Sequence, residues 1–372
     1  MIDGGKLYRD AWESKPPLFL YLYVGIIKVF GPGVFGLRVA STASAIATQF
    51  ALFFVARRFM SDARALIATA LCGVLLGVPF WEGELALTEI FTILPTALAV
   101  LALLIWDERA GRSLRHVDAV LVLAGALFGV AFLLRQTSLA AAAATGIWLL
   151  LRGRPWLRAS TLCGFGFVVV VVPVVAAFEF TGDFHWFWDA NVAFFFKYVP
   201  SGEQLSFATR PVIMLPFLVT AGALLLAHRR GAETPKWSLP GLWLTLTLAG
   251  ALLTGRAYSH YFLQTFLPLS MLVAMALPAP RFDWRPSLRF VPALMFVAAL
   301  AIEWVYVVMP MFNGDLFAMH WTLGADYYQN FGAWAAGKRS TAEYDDFFDK
   351  RVTKAAVVRR ALRQLDAEGQ KV

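Results

Sequence analysis

The sequence predicts an all-α polytopic membrane protein, and three observations lead to this fold class. Hydrophobic residues make up 59% of the 372 residues, whereas charged residues make up only 16%. The mean hydropathy is +0.62, and a soluble domain of this length carries far more charge. Apolar runs of membrane-spanning length recur along the chain. Together these observations exclude an ordinary soluble globular protein.

About ten apolar runs are long enough to form transmembrane helices. In chain order the predicted spans are Arg38–Phe54, Ala65–Trp81, Leu87–Trp106, Val117–Leu134, Ser138–Leu151, Ala159–Phe178, Pro211–Ala227, Trp237–Thr254, Tyr261–Leu277 and Phe290–Pro310. Leu18–Phe30 is shorter and contains Lys28, so we predict a helix that lies in the membrane interface. The chain then divides into an external segment with this helix (1–36), a transmembrane bundle (37–310) and an external C-terminal region (311–372).

The basic residues of the connections alternate strictly between the two sides of the membrane. One side holds fifteen: Arg57, Arg58, Arg64, Arg109, Arg112, Arg115, Arg152, Arg154, Arg158, Arg229, Arg230, Lys236, Arg281, Arg285 and Arg289. The other side holds four: Arg135, Lys197, Arg210 and Arg256. The positive-inside rule assigns the fifteen to the cytoplasm. Segments 1–17, 82–84, 135–137, 179–210 and 255–260, with everything beyond 310, are therefore predicted to face outward in a bacterial cytoplasmic membrane.

The sequence at both ends predicts that the chain is part of a longer protein. Its first residues are predicted to lie outside, although neither a signal peptide nor a span precedes them. Near the other end, Thr341–Leu365 has helical spacing of apolar residues and Gly369 is placed to end that helix. Lys371-Val372 then resembles the beginning of a strand. We therefore expect region 311–372 to be the start of a truncated external α/β domain.

Lys15 is the first candidate binding residue. Pro16 and Pro17 follow it, and they hold the residue before them in an extended conformation. A cation held at the membrane edge is suited to bind the phosphate of a lipid. The alternative is an interfacial lysine whose ammonium group reaches water while the prolines begin a helix.

Glu89 is the candidate catalytic residue because it lies at the beginning of a long apolar run. A carboxylate that enters hydrocarbon is costly, which indicates a functional role. The alternative is a charge at the N-terminus of a helix, stabilised by the helix dipole and by water.

The predicted outer face also gathers aromatic residues and further cations. Segment 180–198 is rich in phenylalanine and tryptophan and ends at Lys197 and Tyr198. It forms either an interfacial aromatic belt or a groove for an isoprenoid chain. Arg135 is a further external cation.

His260 and Tyr261 follow Arg256 in another external connection. A histidine beside a cation is suited to bind an anionic head group, whereas a lone histidine is more often a structural residue. The other histidines share no metal-ligand spacing with His260, and the chain has no Gly-rich phosphate loop or nucleophile elbow. The sequence therefore predicts neither a metal site nor a cofactor. The net charge of +8 lies in the membrane connections and does not predict a nucleic-acid partner.

Short motifs spread over the chain form a set. They are Gly5-Lys6-Leu7-Tyr8-Arg9-Asp10, Lys15-Pro16-Pro17-Leu18, Phe30-Gly31, Leu37-Arg38, Arg135-Gln136, Lys197-Tyr198, His260-Tyr261, Leu267-Pro268 and Asp326-Tyr327-Tyr328-Gln329-Asn330-Phe331. This set resembles the membrane glycosyltransferases that use polyprenol-phosphate sugars, in particular the bacterial relatives of protein O-mannosyltransferases and of the aminoarabinose transferase of lipid A. The resemblance implies a GT-C-like bundle with an external catalytic face.

The resemblance also implies a reaction, in which a sugar moves from a polyprenyl phosphate to a hydroxyl of a lipid, glycan or protein outside the cytoplasmic membrane. The implied partners are this lipid-linked sugar donor and membrane lipid. Lys15 and Lys197 are implied to contact the lipid phosphate, and Glu89 matches a second acidic residue at the outer end of a span. The family's usual base is an aspartate in an acidic pair that would lie upstream of Met1, so residues 1–372 alone are expected not to catalyse transfer.

Two other classes of function stay open at this point. One is a transporter or flippase of lipid-linked sugars, which would place polar residues near the middle of the bilayer and show internal repeats. The other is a ligase or polymerase of external polysaccharide, which would use whole glycans on a polyprenyl diphosphate.

Overall fold

A computed structural model of the chain describes residues 5–31, 34–83, 85–109, 115–153, 155–198, 234–252, 258–277 and 328–348, with isolated residues at 215, 218–220, 222–224, 226 and 326. These ranges are helical and contain no β-strand. This agrees with the predicted all-α fold.

The helices are named here in chain order. They are α1 (Pro17–Phe30), α2 (Val34–Ala56), α3 (Asp62–Gly77), α4 (Thr88–Arg109), α5 (Arg115–Leu134), α6 (Leu139–Leu151), α7 (Trp156–Phe180), α8 (Phe184–Trp188), α9 (Phe194–Tyr198), α10 (Ser238–Leu252), α11 (Phe266–Ala276) and α12 (Thr341–Phe348). Short 3₁₀ stretches lie at Pro79–Trp81, Gln136–Ser138 and Ser259–Thr265, and a π-helical stretch at Asp189–Ala193 joins α8 to α9.

Most predicted spans coincide with a helix to within a few residues, and two differences have a local cause. α3 ends at Gly77 rather than at the predicted Trp81, because Pro79 follows and holds Val78 in an extended conformation. The span predicted from Tyr261 begins with the 3₁₀ stretch and becomes α-helical only at Phe266. The predicted span Phe290–Pro310 and much of Pro211–Ala227 lie outside the described residues. The number of ten spans stays a prediction.

By length and apolar composition, three helices of the described part are able to cross a membrane: Phe35–Ala56, Thr88–Arg109 and Trp156–Phe180. α4 is the central one, because it packs against α2, α5 and α6 and is buried along most of its length. α7 lies at the periphery and exposes apolar side chains such as Phe165, Val168 and Val172. Such exposed apolar side chains are suited to contact lipid.

α5 and α7 cross at small residues. A Cβ atom at Gly166 would overlap the backbone carbonyl of Val122, and one at Gly125 would overlap the carbonyl of Cys163. Glycine at both positions therefore lets the two backbones approach closely, as is common for helices in membranes.

The two ends of the bundle differ in the charged residues that they carry. At the C-terminal end of α4, the buried Asp107 pairs with Arg152 at 3.1 Å, and the neighbouring Glu108 pairs with Arg58. Arg135 lies at the other end, beside the N-terminus of α4. The arginines that were predicted to be cytoplasmic thus gather, in this part of the chain, at the end opposite Arg135.

Residues 315–372 form a separate compact unit. In its described part, α12 begins with a capping box, in which the Ser340 backbone N–H donates to Glu343 at 2.8 Å and the Glu343 N–H donates to the Ser340 hydroxyl at 3.3 Å. The predicted helix of 341–365 therefore begins where the sequence indicates. Its residues beyond 348 lie outside the described part of the chain, so the α/β assignment of this region stays a prediction.

Candidate functional site

A cavity of about 280 Å³ opens beside the N-terminus of α4. Residues from five separate parts of the chain form its walls. They are Ser14, Lys15, Pro16, Thr88, Leu134, Arg135, Gln136, Thr137, Phe194, Phe195, Tyr198, Tyr258, His260 and Tyr261. Of the predicted site residues, the structure thus brings Lys15, Arg135, His260 and Tyr261 to one cavity.

Arg135 is held by more contacts than any other cation of the cavity. Its Nη1 group lies 2.5 Å from Glu89 Oε1 and donates to the Thr88 hydroxyl at 3.1 Å, and its Nε group donates to Thr137 at 3.0 Å. The guanidinium also lies over the Tyr261 ring at 4.6 Å, a favourable cation–π geometry. Its Nη2 group has no hydrogen-bond partner among the described residues.

Glu89 lies behind this arginine and is not part of the cavity wall. Its side chain is 1% exposed, and its Oε2 atom accepts a hydrogen bond from Thr88 at 2.6 Å. A buried carboxylate is tolerated in a membrane protein when it is paired. In this arrangement Glu89 orients Arg135, and its predicted role as the catalytic group has no direct path to a ligand in the cavity.

Lys15 is placed by Tyr8 and the two prolines. The Tyr8 hydroxyl donates to the Lys15 backbone carbonyl at 2.8 Å, and the Tyr8 ring packs between Phe178 and Phe187. Burial of this ring raises the pKa of the Tyr8 phenol, which keeps it a hydrogen-bond donor. The Lys15 ammonium group is 3.3 Å from Glu13 Oε1 and remains partly exposed at the cavity wall.

The aromatic segment closes another side of the cavity. The π-helical stretch between α8 and α9 shifts the register of the helix, and Phe194, Phe195 and Tyr198 then line the cavity. π-helical turns are frequent at functional sites. Lys197 lies on the exposed side of α9, next to Tyr198 but outside the cavity wall. Arg256 lies outside the described residues. The predicted phosphate contact of Lys197 and the predicted head-group contact of Arg256 stay predictions.

His260 contacts a carboxylate on each of its ring nitrogens. Nδ1 is 2.7 Å from Glu82 Oε2, and Nε2 is 3.8 Å from Glu89 Oε1. The hydrogen bond with His260 lowers the pKa of the Glu82 carboxyl. The Ser259 hydroxyl also donates to Glu82, at 3.3 Å.

Glu82 lies in the predicted external segment 82–84, for which the sequence predicts no role. In the structure Glu82 stands out by its backbone conformation, because it has φ of +57°, which is uncommon for a residue with a side chain. Thr88 and Thr137 were missed as well, because a threonine at a helix end has many uses and only the fold brings both to Arg135.

The described residues include no group of three His, Cys, Asp or Glu side chains that is arranged to hold a metal ion. Glu82, His260 and Glu89 adjoin one another, but Glu89 faces the guanidinium of Arg135 and Glu82 faces an imidazole nitrogen.

Residues 14–178 match the family model described as dolichyl-phosphate-mannose-protein mannosyltransferase. No curated protein sequence matches the chain.

Two solved structures share the fold over most of the chain. ArnT from Cupriavidus metallidurans bound to undecaprenyl phosphate matches with a TM-score of 0.53 and 19% identity, covering 79% of this chain and 55% of that one. The apo state of the same enzyme matches with a TM-score of 0.54 and 20% identity, covering 83% of this chain and 58% of that one. This chain therefore spans little more than half the length of these relatives.

The family match includes Lys15, Glu89 and Arg135. On these grounds, residues 14–178 are similar to that mannosyltransferase family, and the fold of the chain resembles that of GT-C membrane glycosyltransferases.

Proposed function

We propose that this protein moves a sugar from a polyprenyl-phosphate donor to a hydroxyl of a lipid, glycan or protein, on the external face of a bacterial cytoplasmic membrane. One observation carries the proposal: Arg135 and Lys15 line the same cavity, and Arg135 is held there by its pair with Glu89. Two fixed cations beside an aromatic wall match the chemistry of a lipid phosphate.

The chemistry of such a transfer needs these cations. When the bond between the sugar and the phosphate breaks, negative charge develops on the leaving phosphate. Cations that are already oriented stabilise this charge without further reorganisation. Arg135 meets this condition because its other N–H groups are held by Glu89, Thr88 and Thr137.

The hydrocarbon chain of the donor accounts for the position of the site beside apolar helices. Each buried methylene contributes on the order of 0.8 kcal/mol to binding. Phe194 and Phe195 offer an apolar wall next to the cations, and the related ArnT structure contains undecaprenyl phosphate.

The proposal of an external site is supported by the charge at the other end of the bundle. Arg58 and Arg152 lie at the C-terminal end of α4, where positive charge is typical of a cytoplasmic surface. The cavity lies at the N-terminal end of the same helix.

The test uses the whole chain in lipid nanodiscs. Polyprenyl monophosphate should bind, and Arg135→Gln should weaken that binding by roughly tenfold, as expected for one charge-assisted contact. A sugar-charged polyprenyl monophosphate should bind with the same dependence on Arg135. Transfer of its sugar to an acceptor from a panel of lipids, glycans and peptides would establish the reaction, although the family resemblance implies that residues 1–372 alone do not catalyse it.

The same preparation distinguishes the other classes of function. Movement of the lipid-linked sugar across the bilayer without a new glycosidic bond would contradict the proposal in favour of a flippase. Use of whole glycans on a polyprenyl diphosphate would contradict it in favour of a polysaccharide ligase. Equal binding of polyprenyl monophosphate by the unaltered protein and by Arg135→Gln would remove its main support.

A further inference from the structure

Tyr8 is the most deeply buried residue in segment 5–15, which leads into α1. It is 1% exposed, whereas the next residues, Arg9 and Asp10, are exposed. Its backbone has φ of +68°, which is uncommon for a residue with a side chain and persists where the surrounding structure enforces it. A buried tyrosine in a strained backbone conformation, outside any helix, indicates a specific role for its side chain.

A tight turn holds Tyr8 in this conformation. The backbone N–H of Tyr8 donates to the Ala11 carbonyl at 2.9 Å, and the N–H of Asp10 donates to the Lys6 carbonyl at 2.9 Å. The Lys6 N–H in turn donates to the Asp10 carboxylate at 2.7 Å. Three hydrogen bonds within the segment therefore determine where the tyrosine side chain begins.

The ring of Tyr8 is anchored on the polypeptide that carries the aromatic side of the cavity. Its centroid lies 5.6 Å from that of Phe178 on α7 and 6.0 Å from that of Phe187 on α8. Ala190, in the π-helical stretch, belongs to the same buried cluster. This stretch continues directly into α9, which contributes Phe194 to the cavity wall.

The hydroxyl of Tyr8 reaches the cationic side of the cavity, where it donates to the Lys15 carbonyl at 2.8 Å. Lys15 precedes Pro16, the N-cap of α1, so its carbonyl takes no part in the hydrogen bonds of that helix. Burial raises the pKa of Tyr8, despite a hydrogen bond with the Asn191 side chain. The phenol therefore keeps its proton and remains a donor.

The ammonium group of Lys15 depends on this backbone contact because its own contacts are weak. The side chain is 38% exposed and lies 3.3 Å from Glu13, and such partly exposed ion pairs contribute little. The ring of Phe19 lies 6.0 Å from the ammonium nitrogen, at the limit of a cation–π contact. Arg135, by comparison, is held through its guanidinium by three side chains.

We propose that Tyr8 is a positioning residue for the donor phosphate, because its hydroxyl fixes the backbone of Lys15 at the cavity wall. This inference rests on the proposed function, in which the Lys15 ammonium group contacts the phosphate of a polyprenyl monophosphate. It assigns a role in ligand binding to a side chain that does not line the cavity.

Tyr8 also sets the spacing between the two parts of the donor site. A polyprenyl monophosphate carries its charge at one end of an apolar chain, so the cation and the aromatic wall must be met together. Tyr8 joins these two walls, with its ring on the aromatic side and its hydroxyl on Lys15. Trp12, whose ring centroid lies 5.1 Å from that of Phe194, is a second link between them. A ligand gains affinity when its contacts are already in place before it binds.

The experiment measures the affinity for polyprenyl monophosphate in lipid nanodiscs. Tyr8→Phe keeps the ring and removes only the hydroxyl, and it should weaken binding by roughly three- to tenfold, as expected for the loss of one hydrogen bond. Binding of the corresponding polyprenol, which has no phosphate, should change by less than about twofold. The melting temperature should stay within a few degrees of that of the unaltered protein.

A double-mutant cycle separates positioning from a general effect on the fold. If Tyr8 acts through Lys15, Tyr8→Phe should have almost no further effect on affinity once Lys15→Ala is present. The same substitution should keep its full effect in an Arg135→Gln background, because Arg135 is oriented by other residues.

Two variants serve as controls. Tyr23→Phe removes an equivalent hydrogen bond, from the Tyr23 hydroxyl to the Ala86 carbonyl, and should leave the affinity unchanged. Asp183→Asn breaks the ion pair of Asp183 with Lys6 at 2.9 Å, which anchors the same segment without the Tyr8 hydroxyl. Its effect on affinity should be clearly smaller than that of Tyr8→Phe.

The outcomes distinguish this inference from the proposed function. Absence of polyprenyl monophosphate binding by the unaltered protein would overturn both. Binding that depends on Lys15 but is unchanged in Tyr8→Phe would overturn only the role of Tyr8. An equal loss of affinity with and without Lys15, or failure of Tyr8→Phe to fold, would make Tyr8 a residue of the fold and contradict its role in positioning.

Discussion

Arg135 Nη1 lies 2.5 Å from Glu89 Oε1, and this ion pair joins the end of α5 to the beginning of α4. The carboxylate is 1% exposed and the guanidinium side chain 15% exposed, so each charge depends on the other for compensation. Removal of one partner of such a pair leaves an uncompensated buried charge, which typically costs about 3–5 kcal/mol. The pair thus couples the stability of the bundle to the geometry of the site.

The first prediction concerns this coupling. Glu89→Gln and Arg135→Gln should each lower the thermal stability in detergent, and the double variant should lose much less than the sum of the two. The expected interaction free energy is about 0.5–3 kcal/mol in a double-mutant cycle. As a control, Asp62→Asn breaks the exposed pair with Arg57 at 2.8 Å and should change stability by less than about 1 kcal/mol. Strict additivity at Glu89 and Arg135 would contradict the prediction.

The second prediction concerns Lys15. Lys15→Ala should lower the affinity for polyprenyl monophosphate by roughly tenfold or more, because one charge-assisted contact of about 1.5–3 kcal/mol is lost. Lys15→Arg should restore only part of it, since a planar guanidinium replaces a compact charge beside Pro16. Lys28, which is exposed in the last turn of α1, the helix that follows Lys15, provides the control. If Lys28→Ala and Lys15→Ala behave alike, Lys15 is an interfacial lysine without a role in binding.

The third prediction concerns the crossing of α5 and α7. Gly166→Ala should lower the melting temperature, because the added methyl group meets the backbone of Val122 and overpacking costs about 1–3 kcal/mol. Gly164 lies on the same helix with nothing within 4 Å of a built Cβ atom. Gly164→Ala should therefore be neutral or slightly stabilising, given the higher helix propensity of alanine. Equal melting temperatures for the two variants would show that α5 and α7 can move apart without a measurable loss of stability.

The fourth prediction is a pH dependence. The hydrogen bond from Lys6, together with the charges of Lys6 and Arg9, lowers the pKa of the Asp183 carboxyl. Since the pKa is lower in the folded chain than in the unfolded chain, the stabilisation is present above the ordinary aspartate value of about 3.9 and is lost as the pH falls through the folded value.

Asp183→Asn should accordingly lower the melting temperature at neutral pH, and the difference from the unaltered protein should shrink as the pH falls below about 4. The exposed Asp189 provides the control, and Asp189→Asn should show no such convergence. A constant difference across the pH range would rule out the ion pair as its source.

The fifth prediction concerns orientation in the membrane. After Cys72 and Cys163 are replaced by alanine, a single cysteine at Thr181 should react with an impermeant thiol reagent in intact cells. A single cysteine at Arg154 should react only after permeabilisation, because the positive-inside rule assigns it to the cytoplasm. The reverse pattern would invert the topology and place the cavity inside the cell.

Much of the fold could be predicted from the sequence, because apolar runs of spanning length report helices in lipid directly. α4 and α7 lie within a few residues of the predicted spans. The errors occur where a proline changes the backbone, as at the end of α3, or where a 3₁₀ stretch precedes a helix, as at Ser259–Thr265.

The site was predictable only in part. Lys15, Arg135, His260 and Tyr261 each stand out as polar residues at the ends of apolar runs, and they share one cavity in the structure. Lys197 stands out for the same reason, yet its side chain lies outside the cavity wall. Its position could not be predicted, because the sequence does not reveal which side of a five-residue helix faces a neighbour.

The sequence by itself determined that this is a helical membrane protein, and it predicted how its basic residues divide between two sides and which polar residues are costly in an apolar setting. Those properties depend on composition and on spacing along the chain, which are local. Only the tertiary structure showed that Glu89 pairs with Arg135 and that Glu82 contacts His260. Each of these pairs joins different elements, and a contact between residues far apart in the chain depends on how the helices pack.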